Sequence, residues 1–230
     1  MRLVRLAGLM LVAVFAMGLL SVAAASAAES SNPLFLPVVG QTLTGVSGPS
    51  TLKAVTGQEV TCQKDTATGA ITSSLLAGKV FVHYLECTAI EKAGATTRCT
   101  IKSNGAPEEG LIITSELHGI LGLILSPAPL DTGILFLPAS GKVFLTLAES
   151  TNGTTKCTPE TKISGTVAGL ITPVGVDTTK GLLVFPKETI KKIDLTHGLG
   201  QVEPELVAFS GSSVLFQHDV ITFSEPTGIT

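Results

Sequence analysis

Glycine or proline interrupts this chain roughly every 8 to 12 residues over most of its length. The runs between are rich in Thr, Val, Ile and Leu, so everything after the N-terminal segment reads as β. Short strands at such spacing are the mark of a sandwich or a barrel. We therefore expect an all-β fold, an antiparallel β-sandwich or a barrel-like fold with two disulfides. GKVFVHYLEC (78–87) is the strongest strand. Val80, Val82 and Tyr84 point one way; Phe81, His83 and Leu85 point the other. Apolar side chains on both faces predict a strand covered on both sides. GKVFLTLAES (141–150), KISGTVAGLIT (162–172) and HDVITFSE (218–225) are further strands. Asn-Gly pairs at 104–105 and 152–153 predict tight turns. In KETIKKID (187–194), Ile190 and Ile193 fit one helical turn, but Pro186 and the flanking pattern favour a bulged strand.

The N-terminus has a different character. Arg2 and Arg5 precede a long apolar run that ends in Ala25-Ser26-Ala27. A positive start, an apolar stretch and a small-residue site describe a secretory signal peptide. The expected organisation is a signal peptide over 1–27, cut near Ala27, and a single all-β secreted domain over 28–230. The chain's formal charge is −3, and it becomes more acidic without the two arginines. It has no basic cluster to neutralise phosphates, so nucleic acid is disfavoured as a partner. No second long apolar segment follows, so no membrane span is expected in the mature chain.

Cys62, Cys87, Cys99 and Cys157 are the four cysteines. An even count in an exported chain predicts two disulfides. Cys87–Cys99 with Cys62–Cys157 is one pairing; Cys62–Cys87 with Cys99–Cys157 is another. The close ligand pairs usual in zinc sites are missing, so no metal is expected.

GLILSPAPLDTGILFLP (122–138) is echoed by GLITPVGVDTTKGLLVFP (169–186). Each reads as a β-hairpin, with Asp131 and Asp177 in equivalent turns and Gly133 and Gly181 allowing unusual φ. LFLPVVG (34–40) is a weaker third echo. The first hairpin ends in Leu137-Pro138-Ala139-Ser140-Gly141, which looks like a relaxed sortase signal. No apolar segment and basic tail close the chain behind it, and Ser140 replaces the usual Thr. A turn into the next strand is the better reading.

Catalytic constellations were sought and not found. His83, His118, His197 and His218 form no His-x-His pair. His218 and Asp219 are adjacent, and adjacent strand residues face opposite ways, so they would not share a site. Gly211-Ser212 lacks the spacing of a nucleophile elbow. Glu108 and Glu109 lie in a Pro-Gly turn, and Glu203 and Glu205 flank Pro204; both pairs read as solvated charge. No phosphate loop or dinucleotide fingerprint occurs, so no cofactor is expected. With no Trp and only Tyr84, a sugar-stacking platform is poorly supplied, and the aromatic girdles of an outer-membrane barrel are lacking.

An Ala-rich leader, VTC (60–62), LEC (85–87), RCT (98–100), EGLIITSELHGILGLI (109–124), KCTPETKISGTVAGLITPVG (156–175) and VITFSE (220–225) follow one another along the chain. In this the sequence resembles a large paralogous group of secreted, Cys-containing, β-rich actinobacterial proteins. The resemblance implies an exported bacterial protein and supplies no catalytic residue. The expected function is non-enzymatic, at or outside the cell envelope, by surface interaction or as a structural component, with a cell-envelope or protein partner. The alternatives are an extracellular hydrolase using a dispersed site around His83, His118 or His218, and a small-ligand or lipid carrier with a β-barrel cavity.

Overall fold

The computed structural model describes residues 33–36, 40–90, 97–126, 131–152, 155–187, 190–195 and 199–230, without the side chains of 126 and 151–157. The expected signal peptide, Gly153 and Thr154 of the second Asn-Gly turn, His197 and the side chain of Cys157 therefore lie outside the described residues. No helix occurs among the described residues.

Eight strands close into an antiparallel barrel: β1 (Thr42–Ser47), β2 (Lys64–Ile71), β3 (Leu76–Leu85), β4 (Leu117–Ser126), β5 (Asp131–Pro138), β6 (Val167–Thr172), β7 (Thr178–Phe185) and β8 (Gly211–Ile229). Each pairs with the next in chain order, and β8 pairs back onto β1, with Leu43 opposite Phe223 and Ser47 opposite Asp219. This is an up-and-down barrel, and closure removes the exposed edges that an open sheet must protect. Of the two architectures left open by the sequence, the barrel is the one formed. Phe35–Leu36 pairs with the end of β8.

The connections differ at the two ends. β2–β3 and β6–β7 are joined by a few residues. The β1–β2, β3–β4 and β5–β6 links run out into a second sheet, ordered Val143–Leu147, Thr161–Gly165, Leu206–Ala208, the start of β8, Ser50–Ala54, Glu59–Cys62, Thr88–Ile90 and Cys99–Thr100. A bridge from Ser103 to Leu147 joins its two ends. The chain kinks where it crosses between the layers. Gly141 has φ +70, which places the Leu-Pro-Ala-Ser-Gly stretch in a turn between strands, as expected. Gly165 has φ +112, and a Cβ there would lie 1.9 Å from the Glu205 carbonyl oxygen, so only glycine fits. One apolar core runs through both layers, from Ile171, Phe185 and Phe223 to Leu52, Ile101 and Leu147.

The two echoed segments form neighbouring hairpins, β4–β5 and β6–β7, joined through β5 and β6. Gly133 and Gly181 do not take positive φ, which corrects the expectation for them. Gly133 is instead needed for space: a Cβ would lie 2.6 Å from Ile124. Ile190, Ile193 and Leu195 pack over the outer face of this region, against Ile124, Leu135 and Ala168. The 187–194 segment ends in a strand, Lys192–Leu195, that pairs with β4 across a bulge. The strands apolar on both faces are thus β4, β5 and β6. For β3 the expectation of two-sided cover is corrected: Phe81 is 37% exposed and His83 is exposed on its outer face.

Cys62 and Cys87 form a disulfide across the continuation of the β2–β3 pair, which excludes Cys87–Cys99 and Cys62–Cys157. It is the disulfide with both partners among the described side chains. Cys99 is buried and is not a free thiol.

Candidate ligand cavity

Strand alternation puts one face of every barrel strand inside. Leu43, Val80, Leu117, Ile134, Ile171, Leu183 and Phe223 face inward and enclose a cavity of about 130 Å³. Its wall is almost wholly apolar. Its polar lining residues are Ser50, Thr114, Tyr84, Gln217 and Asp219, and the last three belong to a row across four adjacent strands, where the barrel meets the second sheet, whose other members, Ser47 and Asp65, do not themselves line the cavity. Asp219 on β8 is opposite Ser47 on β1; Ser47 is opposite Asp65 on β2; Asp65 is opposite Tyr84 on β3. Gln217 lies two residues before Asp219 on the same face of β8.

The row is a hydrogen-bond chain. The Tyr84 hydroxyl donates to Gln217 Oε1 at 3.1 Å. Gln217 Nε2 donates to both Asp219 oxygens, at 2.8 Å each. The Ser47 hydroxyl lies against Asp65 Oδ2. Asp65 and Asp219 are 2% and 4% exposed, and their carboxyls lie close enough to interact with each other. Burial is the main cause that pushes Asp219 up to about 8, and the neighbouring Asp65 charge adds to it. Burial also raises Asp65, while the bonds from Ser47 and Asp219 favour its carboxylate form and act the other way. Burial, followed by the two carboxyl charges, raises the Tyr84 phenol well above its usual range, so it stays neutral. Asp65 Oδ1 is buried and receives no donor from the described protein groups.

The residues singled out from the sequence lie elsewhere, Tyr84 and Asp219 excepted. His83 and His218 are exposed on the outer faces of β3 and β8, with β1 and β2 between them, and His118 is half-buried on β4. Asp219 points inward while His218 points out, as alternation requires. Glu108 and Glu109 are exposed, and Glu109 pairs with Lys102 at 2.7 Å. Glu203 and Glu205 are exposed too. No group of three His, Cys, Asp or Glu side chains gathers as a metal site among the described residues. Asp65 and Gln217 are site residues that no sequence motif marks. Their signal was parity: Asp65 shares its face with Ala67, Gly69 and Ile71, against Lys64, Thr66 and Thr68 on the other.

Fold and site together define a closed eight-stranded barrel with an apolar interior and one acidic, hydrogen-bonded wall. Thr42, Thr44, Thr66, Thr68 and Thr222 cover part of its outside, beside the exposed Val46, Phe81, Leu182 and Val220. Among the described residues no helix is long and apolar enough to cross a membrane. No family model, curated protein or solved structure matches the chain.

Proposed function

We propose that this chain is an exported, non-enzymatic barrel protein that acts at or outside the cell envelope by holding a small, mainly apolar ligand in its interior. The carrying observation is the cavity of about 130 Å³ inside the closed barrel. Eight strands leave an interior that side chains can fill or that can hold one small ligand. An apolar void of about 150 Å³ is enough for benzene. Export is supported by the N-terminal leader pattern and by the Cys62–Cys87 disulfide, a bond that persists in oxidising compartments. The second bridge belongs to this proposal as Cys99–Cys157, the two cysteines left once Cys62 and Cys87 are joined. A hydrolytic site built on the histidines finds no support, because His83, His118 and His218 do not converge.

Toluene, titrated against protein labelled at its methyl groups and followed by NMR, tests the reading. Shifts at inward methyls such as Leu117, Ile134 and Leu183, with Val46 and Val55 on the outside unmoved, are expected. Saturating toluene that leaves the inward methyls unshifted would overturn it.

A further inference from the structure

Resting on that reading, we infer that the ligand is a small amine, with its protonated nitrogen on the Asp219 carboxyl and an apolar body of about one ring in the cavity. Asp219 is the one acidic residue in the cavity wall, and no basic residue lines it. The donors beside it are already used: the Tyr84 hydroxyl on Gln217, and the Gln217 amide on Asp219. What remains at the wall is the acceptor capacity of Asp219, and its neighbour Asp65 has a buried Oδ1 without a donor. The described ion pairs join Lys64 to Glu86, Arg98 to Glu59 and Lys102 to Glu109, and none reaches the two aspartates.

A wall of acceptors with no cation asks for a ligand that brings both donors and positive charge. A protonated primary amine brings three N–H groups and one charge. An alcohol brings one donor and no charge, and a carboxylate is repelled. The amine takes the place of the proton that Asp219 holds, so binding below about pH 8 releases one proton to solvent. The groups facing the pair add no other charge. β1 presents Ser47 and Gly45, β3 presents Tyr84 and Val82, and β7 presents Leu183 opposite Asp219 and Phe185 opposite Gln217. Affinity for the amine therefore rises with pH from 6 to 8.

Calorimetric titrations of the full exported protein with benzylamine, benzyl alcohol and toluene, at pH 6 and pH 8, test this. Benzylamine is expected to bind about tenfold tighter than benzyl alcohol at pH 8, the size of a charge-assisted hydrogen bond. It is also expected to bind more tightly at pH 8 than at pH 6. Asp219→Asn, verified as folded by a cooperative melt, should lose about tenfold in benzylamine affinity, while His218→Asn on the outer face should lose none. If toluene binds but benzylamine is no tighter than benzyl alcohol at either pH, the amine inference fails and the cavity reading stands. If none of the three binds, both fail. The pH comparison uses the unaltered chain, so the test does not depend on the folding of a variant.

Discussion

The two halves of the barrel are built on opposite plans. β4, β5 and β6 are apolar on both faces: Leu121, Ile134 and Ile171 fill the interior, and Ile124, Leu135 and Ala168 lie under Ile190, Ile193 and Leu195 outside. β8, β1, β2 and β3 have a largely bare outer face, much of it threonine, and carry the Asp219–Ser47–Asp65–Tyr84 row inside. The first half gains stability from apolar area removed from water on two sides. The second gives some of that up to bury two carboxyls, a phenol and an amide. Buried polar groups without a full set of partners are costly, and natural chains keep them where they act. On the proposed function, the contrast puts the ligand-facing polar groups in one half and structural support in the other.

The contrast breaks most easily at Leu121, which has no exposed surface. Leu121→Ala should cost about 2–5 kcal/mol, read by denaturant unfolding, and should leave the pH profile of stability unchanged. A pH effect of nearly that size belongs to the other half. Folded Asp219 keeps its proton up to about pH 8, whereas its ordinary value is 3.8. Between those limits the folded state holds the extra proton, so stability falls as pH rises from 5 to 8 and levels off above. The slope should approach about 1.4 kcal/mol per pH unit, and Asp219→Asn should flatten it. If Leu121→Ala flattens the slope, or Asp219→Asn preserves it, the division between the halves is wrong. Gly122 tests the outer cover. A Cβ there would lie 2.6 Å from the Asp194 carbonyl oxygen, and Gly122→Ala should cost about 1–3 kcal/mol by thermal melt. The smallest effect is expected on the bare face: Thr44→Ala should change stability by about 0.5 kcal/mol or less.

Much of this organisation was legible in the sequence. Strand punctuation predicted the all-β class, the repeated Asp-Thr hairpins are real neighbours in the barrel, and the Leu-Pro-Ala-Ser-Gly stretch is a turn. Closure was not legible, because it rests on β8 returning to β1 from the far end of the chain. The covered strands were misplaced for a similar reason. Phe81 and Val80 make β3 look two-sided, but the covering residues come from 190–195 and land on β4–β6 instead. The acidic row was readable in part. Parity along KDTATGAI and HDVITF puts Asp65 and Asp219 on the apolar faces of their strands. That the two meet depends on β1 lying between β8 and β2, which only the register shows.

Carboxyl-carbon NMR, following Asp65 and Asp219 through a pH titration of the free protein, measures the central claim most directly. The account predicts that Asp219 keeps its proton through neutrality and titrates near pH 8. If both carboxyls titrate independently, within the ordinary carboxylate range near pH 4, there is no proton held on Asp219 at neutrality and no acidic wall inside the barrel.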